Sequence, residues 1–217
     1  MDNKEILSHI DHTLLKPTAT WPEIKILCEE AINYQTASVC IPPTFVKRIH
    51  HTFGNQVNIC TVIGFPLGYF STEVKLSEVL AAKEDGCTEF DMVVNLGDVK
   101  DGLFNKITEE ICTLKNAVGD LILKVIVETC YLTENEKIAL CHCVTEGGAD
   151  FIKTSTGFGP FGATIEDIRL FKKHIGPSVR IKAAGGIKLK EDIERYIHEG
   201  CERIGSSSAV SLYKYEK

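Results

Sequence analysis

Three charged side chains stand late in otherwise apolar, β-branched runs: Asp91 in Asp-Met-Val-Val-Asn, Lys153 in Phe-Ile-Lys-Thr-Ser-Thr-Gly, and Lys182 in Ile-Lys-Ala-Ala-Gly-Gly. Burying an unpaired charge costs several kcal/mol, and lysine is among the residues least often buried. A single lysine of this kind reads best as half of a buried salt bridge, or as a side chain snorkelling outward between helices. Two on consecutive strands, together with a carboxylate, point instead to amine chemistry. An ammonium cannot attack a carbonyl, whereas the free amine can, and a second cation lowers a lysine's pKa by disfavouring its charged form. Two ammonium groups ~5 Å apart at an effective dielectric of ~20 repel by about 3 kcal/mol, or roughly two pKa units. That brings one lysine from ~10.4 toward ~8 before burial lowers it further. Asp91 then has the chemistry to move protons, directly or through water, as a carbinolamine and an enamine form.

These residues need a scaffold, and the chain alternates strand-like and helix-like stretches from end to end. The strand-like runs are residues 9–11 (short and weak), 37–41, 57–65, 89–95, 121–128, 151–156, 180–186 and 203–207. Several are almost continuously apolar, as strands buried on both faces should be. Between them, Thr20-Trp-Pro-Glu23 and Thr133-Glu-Asn-Glu136 have the form of capping boxes, in which hydroxyl and carboxylate satisfy free backbone N–H groups at a helix start. Ile24, Leu27, Cys28 and Ala31 make one apolar stripe on the first of these helices. Gly54, Gly86, Gly119, Gly147, Gly176 and Gly200 fall where helices should stop, and Pro177 reinforces one stop. Alternating βα units give a parallel sheet. Eight units without a linker or low-complexity break favour a single-domain (β/α)8 TIM barrel over residues 1–217, rather than an open doubly wound sheet.

In such a barrel the chemistry lies at the C-terminal ends of the strands, and the loops after strands 7 and 8 are the usual phosphate site. Here those loops carry Gly185-Gly186-Ile187-Lys188 and Gly205-Ser206-Ser207-Ser208. Glycine lets the backbone approach an anion, the serines add donors, and Lys188 adds charge. Each is a weak signal alone, because Gly-Gly is most often a plain turn; paired on these two strands they favour phosphate.

Bulk properties set the outer limits. The 217 residues carry a net charge of −6, with 44% hydrophobic and 25% charged residues, an ordinary globular composition. A chain of this size buries roughly 70% of its unfolded surface and needs no staples. The acidic balance argues against broad binding to nucleic acid or anionic membranes. No run approaches the length of a membrane span, and the N-terminus lacks the pattern of a secretion signal. The nine cysteines, an odd number without framework spacing, read as reduced thiols of a cytoplasmic protein.

The chain resembles the deoxyribose-phosphate aldolases. The resemblance rests on Asp11-His-Thr-Leu-Leu-Lys, Ser38-Val-Cys, Val62-Ile-Gly-Phe-Pro-Leu-Gly, Asp91-Met-Val-Val-Asn, Glu128-Thr, Ala149-Asp-Phe-Ile-Lys-Thr-Ser-Thr-Gly-Phe, Gly162-Ala-Thr and Ile181-Lys-Ala-Ala-Gly-Gly-Ile, in order over nearly the whole chain. It implies that Lys153 forms a Schiff base, that Lys182 tunes it, and that Asp91 relays protons. It implies reversible cleavage of 2-deoxy-D-ribose 5-phosphate to D-glyceraldehyde 3-phosphate and acetaldehyde, with neither metal nor cofactor. Gly157, Gly185, Gly186, Lys188, Gly205, Ser207 and Ser208 match the phosphate side, with Thr156 beside them; Asp11 supports the site from the first strand. Cys40 ends the second strand near the mouth, where substrate contact and an inert buried thiol are both open readings. The implied partner is a small sugar phosphate, and the assembly stays open between homodimer and homotetramer. Two departures stand out. Some relatives carry a longer C-terminal tail with a site tyrosine, a role that nothing here assigns to Tyr213 or Tyr215. Some place a lysine where this chain has Phe158, which leaves more of the phosphate charge to Lys188.

Other signals carry less. Gly157-Phe-Gly-Pro-Phe-Gly162 fits a dinucleotide pattern, but that pattern needs an acidic residue about 20 positions on, and residues 180–186 have none. Cys141-His-Cys143 puts neighbours two apart on a helix, where they do not face each other, and His50-His51 reads as a solvated helix face. No set of His, Cys or carboxylate ligands is expected to converge on one metal. The rivals are another sugar-phosphate barrel enzyme, which needs no pair of strand lysines, and a non-enzymatic sugar-phosphate sensor, which needs neither Asp91 nor Lys153.

Overall fold

The computed structural model describes residues 1–214. Eight strands close into a parallel barrel in sequential order: β1 (Ile10–Thr13), β2 (Ser38–Ile41), β3 (Ile59–Ile63), β4 (Glu89–Val93), β5 (Ile122–Ile126), β6 (Phe151–Lys153), β7 (Arg180–Ala184) and β8 (Arg203–Ser206), with β8 pairing back onto β1. The helices are α1 (Asn3–Ser8), α2 (Trp21–Tyr34), α3 (Val46–Phe53), α4 (Thr72–Glu84), α5 (Leu96–Lys100), α6 (Phe104–Val118), α7 (Glu134–Glu146), α8 (Ile165–His174), α9 (Lys190–Glu199) and α10 (Ala209–Tyr213). The (β/α)8 barrel expected from the alternation is therefore the fold. The weak first run lies one to two residues later than the sequence suggests, at Ile10–Thr13. The additional short helix α1 packs against α10.

Local sequence explains the element ends. Glu136 accepts a hydrogen bond from the Thr133 backbone N–H at 2.7 Å, while the Thr133 hydroxyl accepts from the Glu136 N–H at 3.3 Å, so the expected capping box opens α7. At α2 the Glu23 carboxylate accepts from the Thr20 N–H at 2.8 Å. Ile24, Leu27, Cys28 and Ala31 are the buried face of α2. Cys141 and Cys143 are buried on α7 while His142 faces solvent, and His50 and His51 are exposed on α3.

The two-residue period of a strand divides the barrel chemically. Phe90 and Met92 of β4, Leu123 and Val125 of β5, Ile152 of β6, and Ile181 and Ala183 of β7 point outward into one apolar layer shared with the helices. The alternate positions point into the barrel, and there the polar residues collect: Glu89 and Asp91, Lys124, Lys153 and Lys182. Strand register aligns them, with Asp91 opposite Lys124 and Lys153 opposite Lys182.

Gly162 marks a close approach on the catalytic face. A Cβ there would lie 2.0 Å from the carbonyl oxygen of Gly185, which belongs to the loop after β7. Gly102, by contrast, has φ +71° with open space around it. Gly102→Ala should therefore cost only backbone strain, about 1–2 kcal/mol, whereas Gly162→Ala forces two loops apart and should cost about 3 kcal/mol. Urea denaturation of both variants checks the order; equal losses would mean that the loops yield freely.

Candidate active site

Asp91 is the centre of a buried charge cluster. Its Oδ2 accepts from Lys153 Nζ at 2.8 Å and from Lys182 Nζ at 2.7 Å. Its Oδ1 accepts from Lys124 Nζ at 2.9 Å and from the Cys60 thiol at 3.1 Å. A second ring of acids holds the outer cations. Lys182 Nζ lies 2.5 Å from Asp11 Oδ2, and Lys124 Nζ lies 2.6 Å from Glu89 Oε2. Arg203 grips Glu89 with both terminal nitrogens at 3.0 Å and reaches Asp11 at 2.5 Å. Ser38 donates to Asp11 at 2.9 Å. Three carboxylates thus face three ammonium groups and one guanidinium, which leaves one cation in excess.

This arrangement fixes most of the charges. Burial pushes the Asp91 carboxyl up, but Lys124, Lys153 and Lys182 outweigh it and hold the group well below the usual carboxylate range. Asp11 is lowered in the same way, burial being overcome by Lys182, Lys124 and Arg203. Burial pulls Lys182 down, but Asp11 and Asp91 outweigh it and keep its ammonium charged far above the ordinary lysine range. Lys124 is likewise raised against burial, chiefly by Asp91. Of the three lysines only Lys153 lines the open cavity above the cluster; Lys124 and Lys182 are fully buried beneath it.

That cavity measures about 360 Å3. Lys153 forms part of its floor, and its wall comes from Thr156, Gly157, Gly185, Gly186, Lys188, Gly205 and Ser207, all expected from sequence. The backbone N–H groups of Gly157, Gly186 and Ser207 have no protein acceptor among the described residues. Gly157 and Gly186 have φ of +86° and +76°, a backbone that L side chains rarely adopt. These free donors, with Lys188 and Lys16 lining the same cavity, are of the kind that can take an anion. Lys16 was not expected; it lies in the loop after β1, where nothing in the sequence ties it to β7 and β8.

Three sequence candidates sit elsewhere. Asp11 is fully buried and acts through Lys182 and Arg203 rather than lining the cavity. Ser208 caps α10, and its hydroxyl lies 3.3 Å from that of Ser206 rather than on the cavity wall. Cys40 is fully buried in a small cluster with Cys60 and Val62, covered by Leu15 and Phe65. The expectation that no metal-ligand set converges is also corrected. Strand register places Cys40 opposite Cys60, and their sulfurs lie within 4.8 Å of each other and of an Asp91 oxygen. Both Asp91 oxygens are already engaged by ammonium groups, so the trio is not poised for a cation. Phe158 stacks edge-on against Phe65 at 5.3 Å and gives the mouth an apolar rim instead of a charge. Tyr213 packs its hydroxyl near Glu194 at 3.3 Å, and Tyr215 lies outside the described residues.

Other residues escaped the sequence reading. Lys124 lies in mid-strand, while Glu89 and Arg203 open their strands, so a search for polar residues late in strands passes over them. Their inward phase with Asp91 and Lys182 is the signal that finds them. Glu128 is buried in the left-handed conformation, with φ 53°. Its carboxylate accepts from the Thr156 backbone N–H at 3.1 Å and from the Thr156 hydroxyl, which in turn accepts from the Phe158 N–H at 3.0 Å. The loop that presents Gly157 is therefore tied down by the turn that follows β5. Outside the barrel, buried Lys75 donates to the Val93 carbonyl at 2.9 Å and to Glu110 at 2.8 Å, pinning α4 and α6 to the end of β4.

The closed barrel, the amine at its mouth and the charge bed beneath define a (β/α)8 enzyme built around lysine chemistry. Residues 5–214 match the model of the DeoC/LacD family aldolases, and the chain belongs to that family. It is 62% identical over 217 residues to a deoxyribose-phosphate aldolase of Clostridium botulinum, covering 100% of this chain and 98% of the relative. It is 54% identical over 213 residues to one of Clostridioides difficile, covering 98% and 97% of the two chains. Among solved structures, the tetrameric deoxyribose phosphate aldolase from Aeropyrum pernix superposes with a TM-score of 0.89 at 30% identity, covering 98% of this chain and 91% of that one. Among the described residues, no helix is long and apolar enough to cross a membrane.

Removing one partner of a buried ion cluster strands the others, at about 3–5 kcal/mol. Lys124→Met should lose that much stability by chemical denaturation, because Asp91 and Glu89 each lose a buried ammonium contact that an apolar side chain cannot replace. The same change at exposed Lys25, paired with Glu29 at 3.7 Å, should be almost silent. A Lys124→Met protein as stable as the parent would mean that water already solvates the cluster.

Proposed function

We propose that this chain is a deoxyribose-phosphate aldolase that reversibly cleaves 2-deoxy-D-ribose 5-phosphate to D-glyceraldehyde 3-phosphate and acetaldehyde through a Schiff base on Lys153. The observation that carries the reading is the position of Lys153: its amine reaches the cavity and shares Asp91 Oδ2 with a second, permanently charged lysine. Because Lys153 and Lys182 bond to the same oxygen, their nitrogens are no further apart than the two bonds combined. The cluster holds one cation in excess, so loss of the Lys153 proton leaves it balanced. Lys153 is the member whose amine a carbonyl in the cavity can meet, since the others lie buried among acids below.

The neutral amine attacks the C1 aldehyde of the open-chain sugar, giving a carbinolamine that loses water to form an iminium. Breaking the C2–C3 bond sends its electron pair into the iminium, forms the enamine of acetaldehyde, and releases the C3 hydroxyl proton as glyceraldehyde 3-phosphate departs. Protonation at C2 and hydrolysis return acetaldehyde and the free amine. Asp91, in direct contact with Lys153, relays the protons. The phosphate sits against the N–H groups of Gly157, Gly186 and Ser207, with Lys16 and Lys188 at the rim. A homodimer and a homotetramer both remain compatible with this site, which one chain supplies; a cytoplasmic location fits the reduced cysteines.

A coupled assay for glyceraldehyde 3-phosphate release tests the reaction. Borohydride added with acetaldehyde should fix an adduct on Lys153, found by peptide mass mapping; an adduct on Lys182 alone would reverse the roles of the two lysines.

Lys182→Leu tests the electrostatic coupling. Without the Lys182 charge, Lys153 faces Asp91 with less competition and keeps its proton to higher pH. By the Coulomb estimate of about 3 kcal/mol, the pH profile of kcat/KM should move one to two units to the alkaline side, roughly. Activity near neutrality should fall about tenfold or more. A folded variant, checked by circular dichroism, with an unchanged profile would leave Lys182 with a packing role only.

A further inference from the structure

The geometry points to Cys40 and Cys60 as an oxidation site: a dithiol beside the reacting centre that a hydroperoxide converts to a disulfide, disabling the charge cluster until a thiol reductant restores it. The two residues are register partners on adjacent parallel strands, β2 and β3, and both point into the barrel. Their sulfurs lie within 4.8 Å of each other, and register partners on neighbouring strands fall within the Cα separation a disulfide spans. The pair is not an isolated packing contact. The Cys60 thiol donates to Asp91 Oδ1 at 3.1 Å, and Lys124 Nζ stands 3.3 Å from the Cys60 sulfur.

The two sulfurs are unequal. Cys40 is held below the ordinary thiol range, first by its contact with Cys60 and then by the nearby Lys182 and Lys153 ammonium groups, against burial and the Asp91 charge. Cys60, whose S–H is directed at Asp91 Oδ1, is pushed up, first by burial and then by the neighbouring Cys40 sulfur and the Asp91 charge. Cys40 is thus the attacking sulfur and Cys60 the resolving one. The approach route is a second cavity of about 280 Å3, lined by Leu15, Val62 and Phe65. Leu15 and Phe65 are the partly buried residues covering the dithiol, and Val62 packs with it. Hydrogen peroxide entering from this side reaches the sulfurs by displacing those two side chains.

The steps balance. The Cys40 thiolate attacks one peroxide oxygen; an S–O bond forms, the O–O bond breaks, and hydroxide leaves and becomes water with the Cys40 proton. Cys60 sulfur then attacks the sulfenyl sulfur; the S–S bond forms, the S–O bond breaks, and the second hydroxide leaves as water with the Cys60 proton. Two thiols and one peroxide give one disulfide and two waters. Once oxidised, Cys60 has no proton to donate to Asp91, and its sulfur is drawn toward β2. Asp91 then loses one of its four donors and Lys124 loses a neighbour, at the carboxylate that Lys153 depends on.

The test begins with the unaltered protein. The reduced protein is titrated with hydrogen peroxide, quenched by alkylation in denaturant and mapped by mass spectrometry. The expected result is a peptide linked through Cys40 and Cys60, two hydrogen masses lighter than its parts, while exposed Cys112 stays available to alkylation as the internal reference. Aldolase activity should fall in step with the linked fraction and return with dithiothreitol. In Cys60→Ala the link cannot form, Cys40 goes on to higher oxides, and dithiothreitol should no longer restore activity. The proposal is overturned if Cys40 and Cys60 both stay alkylatable as peroxide inactivates the enzyme, if either pairs with another cysteine, or if the linked protein is fully active. The linked peptide is read by mass alone, so a failure of the aldolase assignment is visible separately, as absent activity in the reduced protein.

Discussion

A single carboxylate holds the interior of this barrel together. Asp91 takes four donors, three of them lysine ammonium or thiol groups from β3, β5 and β7, and the fourth the lysine amine of β6. Desolvating so many charges is tolerable only when every one is paired. That condition demands a closed sheet, because the second ring of acids and arginine comes from β1, β4 and β8. An open sheet would leave β1 and β8 on opposite edges, and Asp11 could not meet Arg203. The closure of the fold and the ionisation of the site are one requirement seen from two sides.

The site divides into two layers with different physics. Below lies a dry bed of side-chain charges whose protonation states are fixed by their neighbours. Above it lies an open cavity whose recognition groups are largely backbone donors. Lys153 is the member common to both. Glu128 joins the layers mechanically, since it leaves β5 in a left-handed turn and holds the loop after β6 by its Thr156 contacts. Lys75 does similar work from outside, through the Val93 carbonyl two residues beyond Asp91.

Much of this was legible in the sequence. The alternation of apolar runs and capped amphipathic stretches identifies the fold, because closed βα barrels leave a period that composition alone does not. Asp91, Lys153 and Lys182 stand out because charge is rare in such runs. The loops after β7 and β8 stand out because glycine is concentrated there. What the sequence hid was phase. Whether Lys124 faces the barrel or the helices depends on a one-residue choice of register, which an almost wholly apolar strand does not announce. Cys40 stayed between two readings for a related reason: nearness to the mouth along the chain says nothing about the Leu15 and Phe65 side chains lying over it. Lys16 and Glu128 depend on contacts between loops of different strands, which a reading along the chain does not contain.

The proposed anion cradle has a consequence for how this enzyme ages over evolutionary time. Most of its donors are main-chain N–H groups, which every residue except proline possesses, so apart from Lys16 and Lys188 an anion is met there by backbone rather than by particular side chains. What must be kept is the path of the backbone, and at Gly157 and Gly186 that path is one few residues can follow. The bulk around the mouth, such as the Phe158 ring, is therefore free to change while the turns beneath stay fixed. Substrate preference at the open end and anion recognition at the closed end can change independently.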